Sequence, residues 1–278
     1  MKIKSLGIFY RSDNSKAHKW EVEILLWLKK NYPNILIDNK KPQALLVLGG
    51  DGTIIEAVKK YSASSPIIVG FNLGHVGFLA STRREDTFFV ILENLIKGKF
   101  FVIKRMVIKA TVERNGHKIF STNALNEITA QNILGMMELE VMINTHSFQY
   151  VRGSGVLIAT ATGSTAYNLS AHGPVVMPDI KCLVVTEILD HNTPTPSLIV
   201  QRNKKIQIKI LNFRKQGLLA LNTTKEPIDV LLVADGTTLF PLEKGDLITI
   251  EKSARLVKCA EFEPHYFLKS LKEKFGYR

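Results

Sequence analysis

Ala44-Leu45-Leu46-Val47-Leu48-Gly49-Gly50-Asp51-Gly52-Thr53 is the stretch on which the reading of this chain turns. Five consecutive apolar residues have the length of a strand and no polar face, the pattern of a strand covered on both sides. The glycines that end it let the backbone approach a ligand closely, and successive N–H groups in such a loop cradle phosphate oxygens. Thr53–Tyr61 then reads as a helix, whose positive N-terminal end adds to the affinity for an anion. Asp51 is the odd member. A carboxylate in an anion site is repelled by its ligand, unless it takes a proton from an attacking hydroxyl or lies near a metal ion. The plainer alternative is an Asp-Gly turn with Thr53 as helix cap. Neither a G-x-x-x-x-G-K-[ST] loop nor a G-x-G-x-x-G fingerprint occurs, which excludes a P-loop NTPase and a standard dinucleotide dehydrogenase.

Outward from this loop, strand-like runs alternate with helical patterns. Lys4–Tyr10 reads as a strand, and Ser12, Asp13 or Asn14 is placed to cap a helix in which Ala17, Trp20, Ile24, Trp27 and Leu28 share a face. Ile67–Phe71 is a second buried strand and Glu85–Ile96 another helix. This alternation predicts a parallel sheet in an α/β nucleotide-binding domain over residues 1–100. Beyond residue 100 the helices nearly vanish. Val107–Glu113 and Ile119–Ala130 flank Asn115-Gly116, a hairpin signal because both residues tolerate positive φ. Strands are also expected at Leu139–Ile143, Phe148–Val151, Leu183–Ile188, Leu198–Gln201, Ile206–Leu211, Leu218–Asn222, Val230–Ala234 and Leu247–Glu251. So many short strands predict an all-β, sandwich-like domain over 101–262. The end, 263–278, returns to helix. Pro264 fits its first turn, Leu268, Leu271 and Phe275 share a face, and Gly276 stops it; the α/β domain is its expected host.

Composition narrows the class. The 278 residues are 45% hydrophobic and 22% charged, ordinary for a globular protein. No apolar run reaches the ~18 residues of a membrane span, and the N-terminus lacks a secretory h-region. The two cysteines, Cys182 and Cys259, have no metal-like spacing, so a reducing, cytoplasmic setting is expected. The net charge of +12 is spread over scattered lysines without interleaved aromatics. That fits solvated faces and a polyanionic small substrate better than nucleic acid or a membrane surface.

Three further stretches carry chemistry. Gly70-Phe71-Asn72-Leu73-Gly74-His75-Val76-Gly77-Phe78-Leu79 follows the second buried strand, so its loop converges on the same crevice as the first. Asn72 is placed there to hydrogen-bond a phosphate or Asp51. Asn126-Glu127 has the groups to read an adenine edge and ribose hydroxyls, but both face one ligand only across a loop or bulge. Arg152-Gly153-Ser154-Gly155 precedes Thr160-Ala161-Thr162-Gly163-Ser164-Thr165-Ala166-Tyr167, which suits a tight turn into a short helix with donors aimed outward.

Taken together, G-G-D-G-T, N-L-G-x-x-G-F-L, N-E and T-G-S-T-A-Y resemble the NAD kinase family, which uses ATP or polyphosphate, from about residue 44 to residue 252. The resemblance implies phosphoryl transfer to the 2′-hydroxyl of the adenosine ribose of NAD, giving NADP. It implies Asp51 as proton acceptor and an NAD site of Asp51, Gly52, Asn126, Glu127, Arg152, Ser154, Thr162, Thr165, Ala166, Tyr167, Asn168, Leu169 and Ser170. Gly49, Gly50, Gly52, Thr53 and Asn72 would meet the phosphates of ATP. Mg²⁺ or another divalent cation would arrive with ATP rather than reside in the protein, and the subunits would form a homodimer or homotetramer. The chain departs from the family pattern at Ser154, where Asp is common, and at Glu56, Ala161 and Thr237. Two other readings stay open on the residues alone: a lipid kinase of the same loop superfamily, and a catalytically weakened NAD(P)-binding regulator.

Overall fold

A computed structural model describes residues 2–74, 77–190, 195–217 and 228–276. In chain order the elements are β1 (Ser5–Phe9), α1 (Ser15–Asn31), β2 (Leu36–Ile37), β3 (Ala44–Leu48), α2 (Asp51–Lys60), β4 (Ile67–Phe71) and α3 (Phe88–Lys97), the last preceded by a 3-10 turn at Glu85–Thr87. Then come β5 (Phe101–Arg114), β6 (His117–Ala124), β7 (Glu127–Asn132), β8 (Met137–Ile143), β9 (His146–Thr160), a 3-10 turn at Gly163–Thr165 and α4 (Tyr167–Ser170). Last are β10 (Cys182–Asp190), β11 (Leu198–Gln201), β12 (Ile206–Phe213), β13 (Val230–Ala234), β14 (Thr238–Pro241), β15 (Leu247–Glu261) and α5 (Tyr266–Phe275). Among the described residues no helix is long and apolar enough to cross a membrane.

The chain divides into two compact units, one of Met1–Arg105 with Val257–Arg278 and one of Met106–Leu256. The first is the α/β unit. Its strands run β2-β1-β3-β4 and then the last residues of β15, all parallel. Every side chain of β3 and β4 is buried, as an unbroken apolar run requires. Each fully buried leucine there contributes about 1.5–3 kcal/mol relative to exposure. Asn14 caps α1 by accepting the Ala17 N–H at 3.0 Å, and Lys29 and Lys30 sit in its last turn where the helix dipole favours cations. Ala17, Ile24 and Leu28 face the core, with Trp20 packed edge-on to Phe88 at 4.8 Å. The helix α5 belongs to this unit and ends on Gly276 at φ 68°. It buries Tyr266, Phe267 and Ser270, whereas Leu268 and Phe275 are exposed, so its inward face is not the one expected from Leu268, Leu271 and Phe275. Pro264 lies two residues before its first turn.

The second unit is β-rich and antiparallel. Asn115 (φ 52°) and Gly116 (φ 77°) make a two-residue turn that pairs Arg114 with His117. The fifteen-residue β9 is central, pairing β8 through its first half, β7 through its second, and β10 along 153–160. Alternate residues of β5, β7–β10, β12, β13 and β15 fill one core, and Leu157, Ala159, Val184 and neighbours fill a smaller one on the opposite face of β9 and β10. Several expected elements are drawn differently. The stretch 119–130 is two strands broken at Leu125-Asn126, the strands expected at 148–151 and 247–251 are parts of the long β9 and β15, and α2 starts at Asp51 rather than Thr53. The strand expected at 218–222 lies outside the described residues.

Candidate active site

In the α/β unit the site grows from the end of β3. Gly49 donates its N–H to Phe71 O at 3.0 Å, which ties the first loop to the end of β4. A Cβ on Gly49 would stand 2.6 Å from Thr53 Oγ1, so the tight entry to α2 needs glycine there. Gly50 and Gly52 are different. A Cβ on either would meet nothing within 4 Å among the described residues, so no packing seen there calls for them, and both present bare backbone. Gly50 is the N-cap of α2 and makes no side-chain cap; Thr53 donates its N–H to Gly50 O at 3.0 Å, which leaves the Asp51 and Gly52 amides without intrahelical acceptors. An anion is the natural partner for such a turn.

Asp51 is the first residue of that helix. Its Oδ2 accepts the Phe78 N–H at 2.8 Å and its Oδ1 the Leu79 N–H at 3.2 Å, so the second glycine loop grips the carboxylate from behind. A Cβ on Gly77 would lie 2.2 Å from Asp51 Oδ1, which makes glycine the condition for that approach. Each oxygen keeps a lone pair for a hydroxyl proton. Asn72 is buried and accepts the Gly74 N–H at 2.9 Å through its Oδ1. His75 and Val76 lie outside the described residues. Burial pushes the Tyr266 phenol above its usual range, Arg83 opposes this, and the Asp51 charge reinforces it, so α5 stands within the field of the carboxylate.

In the β-rich unit the third and fourth motifs meet. Leu125 and Asn126 form the break between β6 and β7, which removes the strand alternation that would have turned Asn126 and Glu127 to opposite faces. Asp235 holds this break open. Its Oδ2 accepts the Leu125 N–H at 2.7 Å, and its Oδ1 accepts those of Asn126 at 2.7 Å and Glu127 at 3.2 Å. Sequence reasoning did not single out Asp235 as a site residue; its signal is an Asp-Gly pair in a hairpin turn with φ 48° and 66°. The turn after β9 packs against the same break. Thr160 donates its N–H to Asn126 O at 2.8 Å and its hydroxyl to Leu125 O at 2.6 Å, and a Cβ on Gly163 would stand 2.2 Å from Asn126 O.

Glu127 is 7% exposed, and its Oε2 has no partner among the described residues. Burial, and then the Asp235 charge, push its carboxyl up to about 8, against the Tyr167 backbone N–H beside it. It is a protonated acid at neutral pH. A cavity of about 460 Å³ opens here, walled by Glu127, Thr129 and Gln131 of β7, Tyr167, and Leu231 and Val233 of β13. Thr129 Oγ1 is also buried without a partner among the described residues. An apolar trough with two unsatisfied polar groups suits a flat heterocycle bearing polar substituents.

The remaining expected residues are placed as follows. Thr162 is buried, Thr165 Oγ1 donates to Thr162 O at 3.4 Å, and Ala166 and Leu169 are half-buried in the turn and α4. Tyr167 and Ser170 are exposed. Asn168 is fully buried and braces the turn, donating to Ser164 O and Pro174 O and accepting the Thr186 hydroxyl at 2.8 Å. Arg152 and Ser154 stand apart from this group. Glu127 pairs with Ala159, five residues along β9 from Ser154, a separation of about 16 Å at ~3.3 Å per residue. Arg152 is exposed and pairs across the strands with Glu138 at 3.6 Å. Gly155 (φ 148°), between them and the turn, is where a Cβ would strike Ala130 O at 2.1 Å. Among the described residues no group of three or more His, Cys, Asp or Glu side chains is arranged to hold a metal ion.

Comparison with known proteins places these motifs in one family. Residues 37–100 match the model of the ATP-NAD kinase N-terminal domain, and residues 125–262 that of the ATP-NAD kinase C-terminal domain. The chain is 30% identical to the NAD kinase of Syntrophotalea carbinolica over 99% of both chains. It is 34% identical to that of Symbiobacterium thermophilum over 84% of this chain and 78% of the relative. In fold it is similar to yeast NADH kinase complexed with NADH (TM-score 0.86, 22% identity, covering 100% of this chain and 88% of the other). It is similar also to an NAD kinase from Archaeoglobus fulgidus in complex with ATP (TM-score 0.72, 23% identity, covering 98% and 97%).

Proposed function

This chain belongs to the NAD kinase family and is a phosphotransferase acting on NAD, and on that premise we propose how its own residues divide the work. The carrying observation is the Asp51 carboxylate, fixed at the first residue of α2 by the Phe78 and Leu79 amides beside the bare backbone of Gly50 and Gly52. Asp51 takes the proton of the adenosine 2′-hydroxyl as the γ-phosphoryl group of ATP is transferred, giving NADP. Phosphoryl transfer asks the protein mainly for positioning and charge stabilisation, and the first-turn amides of α2 supply both to the phosphates. Mg²⁺ enters as part of the MgATP substrate and offsets the repulsion between its phosphates and Asp51.

Asn126, Glu127 and the 162–170 turn are assigned to NAD. Glu127 Oε2 and Thr129 Oγ1, both without partners among the described residues, belong to the cavity where one ring of the dinucleotide is placed, and Tyr167 forms part of its wall. As a protonated acid, Glu127 can both donate to and accept from ribose hydroxyls. A homodimer or homotetramer in the cytoplasm belongs to the same proposal.

The test is NADP formation from NAD and MgATP, with polyphosphate as the alternative donor, by the native protein and by Asp51→Asn. The substitution keeps the size and one acceptor but removes the base, so turnover should fall by about two orders of magnitude or more in a folded protein. Near-native turnover in Asp51→Asn would remove the carboxylate from the chemistry. Failure of both donors to give NADP would overturn the assignment of the reaction.

A further inference from the structure

We propose that the C-terminal helix α5 is a positioning device for the catalytic carboxylate, acting through the ring of Phe78; this rests on the reading of Asp51 as proton acceptor. Phe78 donates its N–H to Asp51 Oδ2 at 2.8 Å, so the place of its backbone sets the place of that oxygen. The Phe78 ring is 4% exposed and is enclosed by α5. Its centroid is 5.6 Å from that of Phe267 and 6.2 Å from that of Phe275, the latter nearly parallel at 20°, and Lys274 Nζ stands 4.9 Å above it. Behind the next peptide, whose Leu79 N–H meets Asp51 Oδ1, Arg105 Nη2 donates to Phe78 O at 3.3 Å.

The helix is itself fastened to the loop it grips. Arg83 Nη2 pairs with Glu273 at 2.7 Å, and the Arg83 guanidinium lies 5.6 Å from the centre of the Tyr266 ring. Ser81 Oγ donates to Ala260 O at 2.7 Å, which anchors the segment entering α5 to the same loop. Five attachments from α5 therefore converge on Phe78 and Arg83, with those of Arg105 and Ala260 beside them, in the loop whose two amides hold the carboxylate. Nothing in the composition of α2 or its glycine loop supplies this support. A Cβ at Gly50 or Gly52 meets none of the described residues within 4 Å, and Gly50 offers no side chain to brace Asp51. The orientation of Asp51 is thus set from the far end of the chain, more than two hundred residues away.

Phe275 is the residue with which to test this, because it is 42% exposed and its removal leaves no sealed void. Phe275→Ala frees one side of the Phe78 ring and should lower kcat about tenfold, the scale of a sub-ångström misplacement of a catalytic group, with KM for NAD and ATP within about twofold. Phe275→Tyr keeps the ring and should restore the rate. The deciding measurement is the same substitution in Asp51→Asn, where there is no base left to misplace and the further loss should vanish. Should Phe275→Ala lower the folded fraction, Phe267→Leu, which removes the ring and keeps most of the apolar bulk, replaces it in the same cycle. If Asp51→Asn alone is near native, the reading of Asp51 fails. If Asp51→Asn is impaired but the aromatic substitution is harmless, or costs the same factor in both backgrounds, α5 is only a stabilising helix and the positioning role is overturned.

Discussion

Replacing Glu127 by Gln should make the protein more stable above pH 8 and leave it unchanged near pH 4. The carboxyl is 7% exposed, has one oxygen without a partner among the described residues, lies close to the Asp235 charge, and is pushed up to about 8 from an ordinary 4.5. In the unfolded chain it ionises near its ordinary value, so between about pH 4.5 and 8 the native state holds a proton that the unfolded state has lost. The native state therefore loses stability as pH rises through that window, and the loss levels off once both states are ionised. Carrying the carboxyl from 4.5 to about 8 corresponds to at most about 5 kcal/mol at ~1.4 kcal/mol per pH unit. Water entering the neighbouring cavity when the group ionises should reduce this to about 2–4 kcal/mol. Gln keeps the shape and never ionises. Urea melts of both proteins at pH 5, 7 and 8.5 isolate the effect, because every other titrating group is common to the pair. The variant should gain progressively over the native protein across the three values. Equal stability at pH 8.5, or a gain by the native protein, would refute the buried acid.

Two further outcomes are expected. Gly77→Ala places a methyl group 2.2 Å from Asp51 Oδ1. Because the struck atom is a side-chain end, the carboxylate should give way rather than the fold, with turnover falling by roughly two orders of magnitude for a displacement of about 1 Å and little change in the melting temperature. Asp235→Ala leaves the Leu125, Asn126 and Glu127 amides without their acceptor and should cost about 3 kcal/mol or more in urea melts while raising KM for NAD. Asp235→Asn should cost less, and should lower the Glu127 carboxyl by removing a neighbouring charge, narrowing the pH window described above.

What was legible in the sequence is what neighbouring residues decide among themselves. Five apolar residues followed by glycines make a buried strand and a loop at its end, one of Ser12, Asp13 and Asn14 is due to cap the amphipathic α1 and Asn14 does so, and Asn115-Gly116 turns a hairpin because both tolerate positive φ. The parallel order of the first strands and the antiparallel character of the rest follow from how helices intervene or do not. Other features depend on partners far along the chain. The break at Leu125-Asn126 exists because Asp235, more than a hundred residues later, accepts three of its amides, and without that acceptor the stretch reads as one strand. Gly153 and Gly155 look like interruptions, yet β9 runs straight through them because β10 and β7 approach too closely for a Cβ. The helix α5 carries apolar residues on more than one side, so periodicity alone does not say which side is inward; the ring of Phe78 and the guanidinium of Arg83 choose Tyr266 and Phe267. The sequence by itself therefore determined the chemistry on offer, a carboxylate among phosphate-binding glycines, since that is written in adjacent residues. Only the tertiary structure decided how the carboxylate is held and why Glu127 keeps its proton, because hydrogen bonds and burial are set by distances in space that one-dimensional order does not contain.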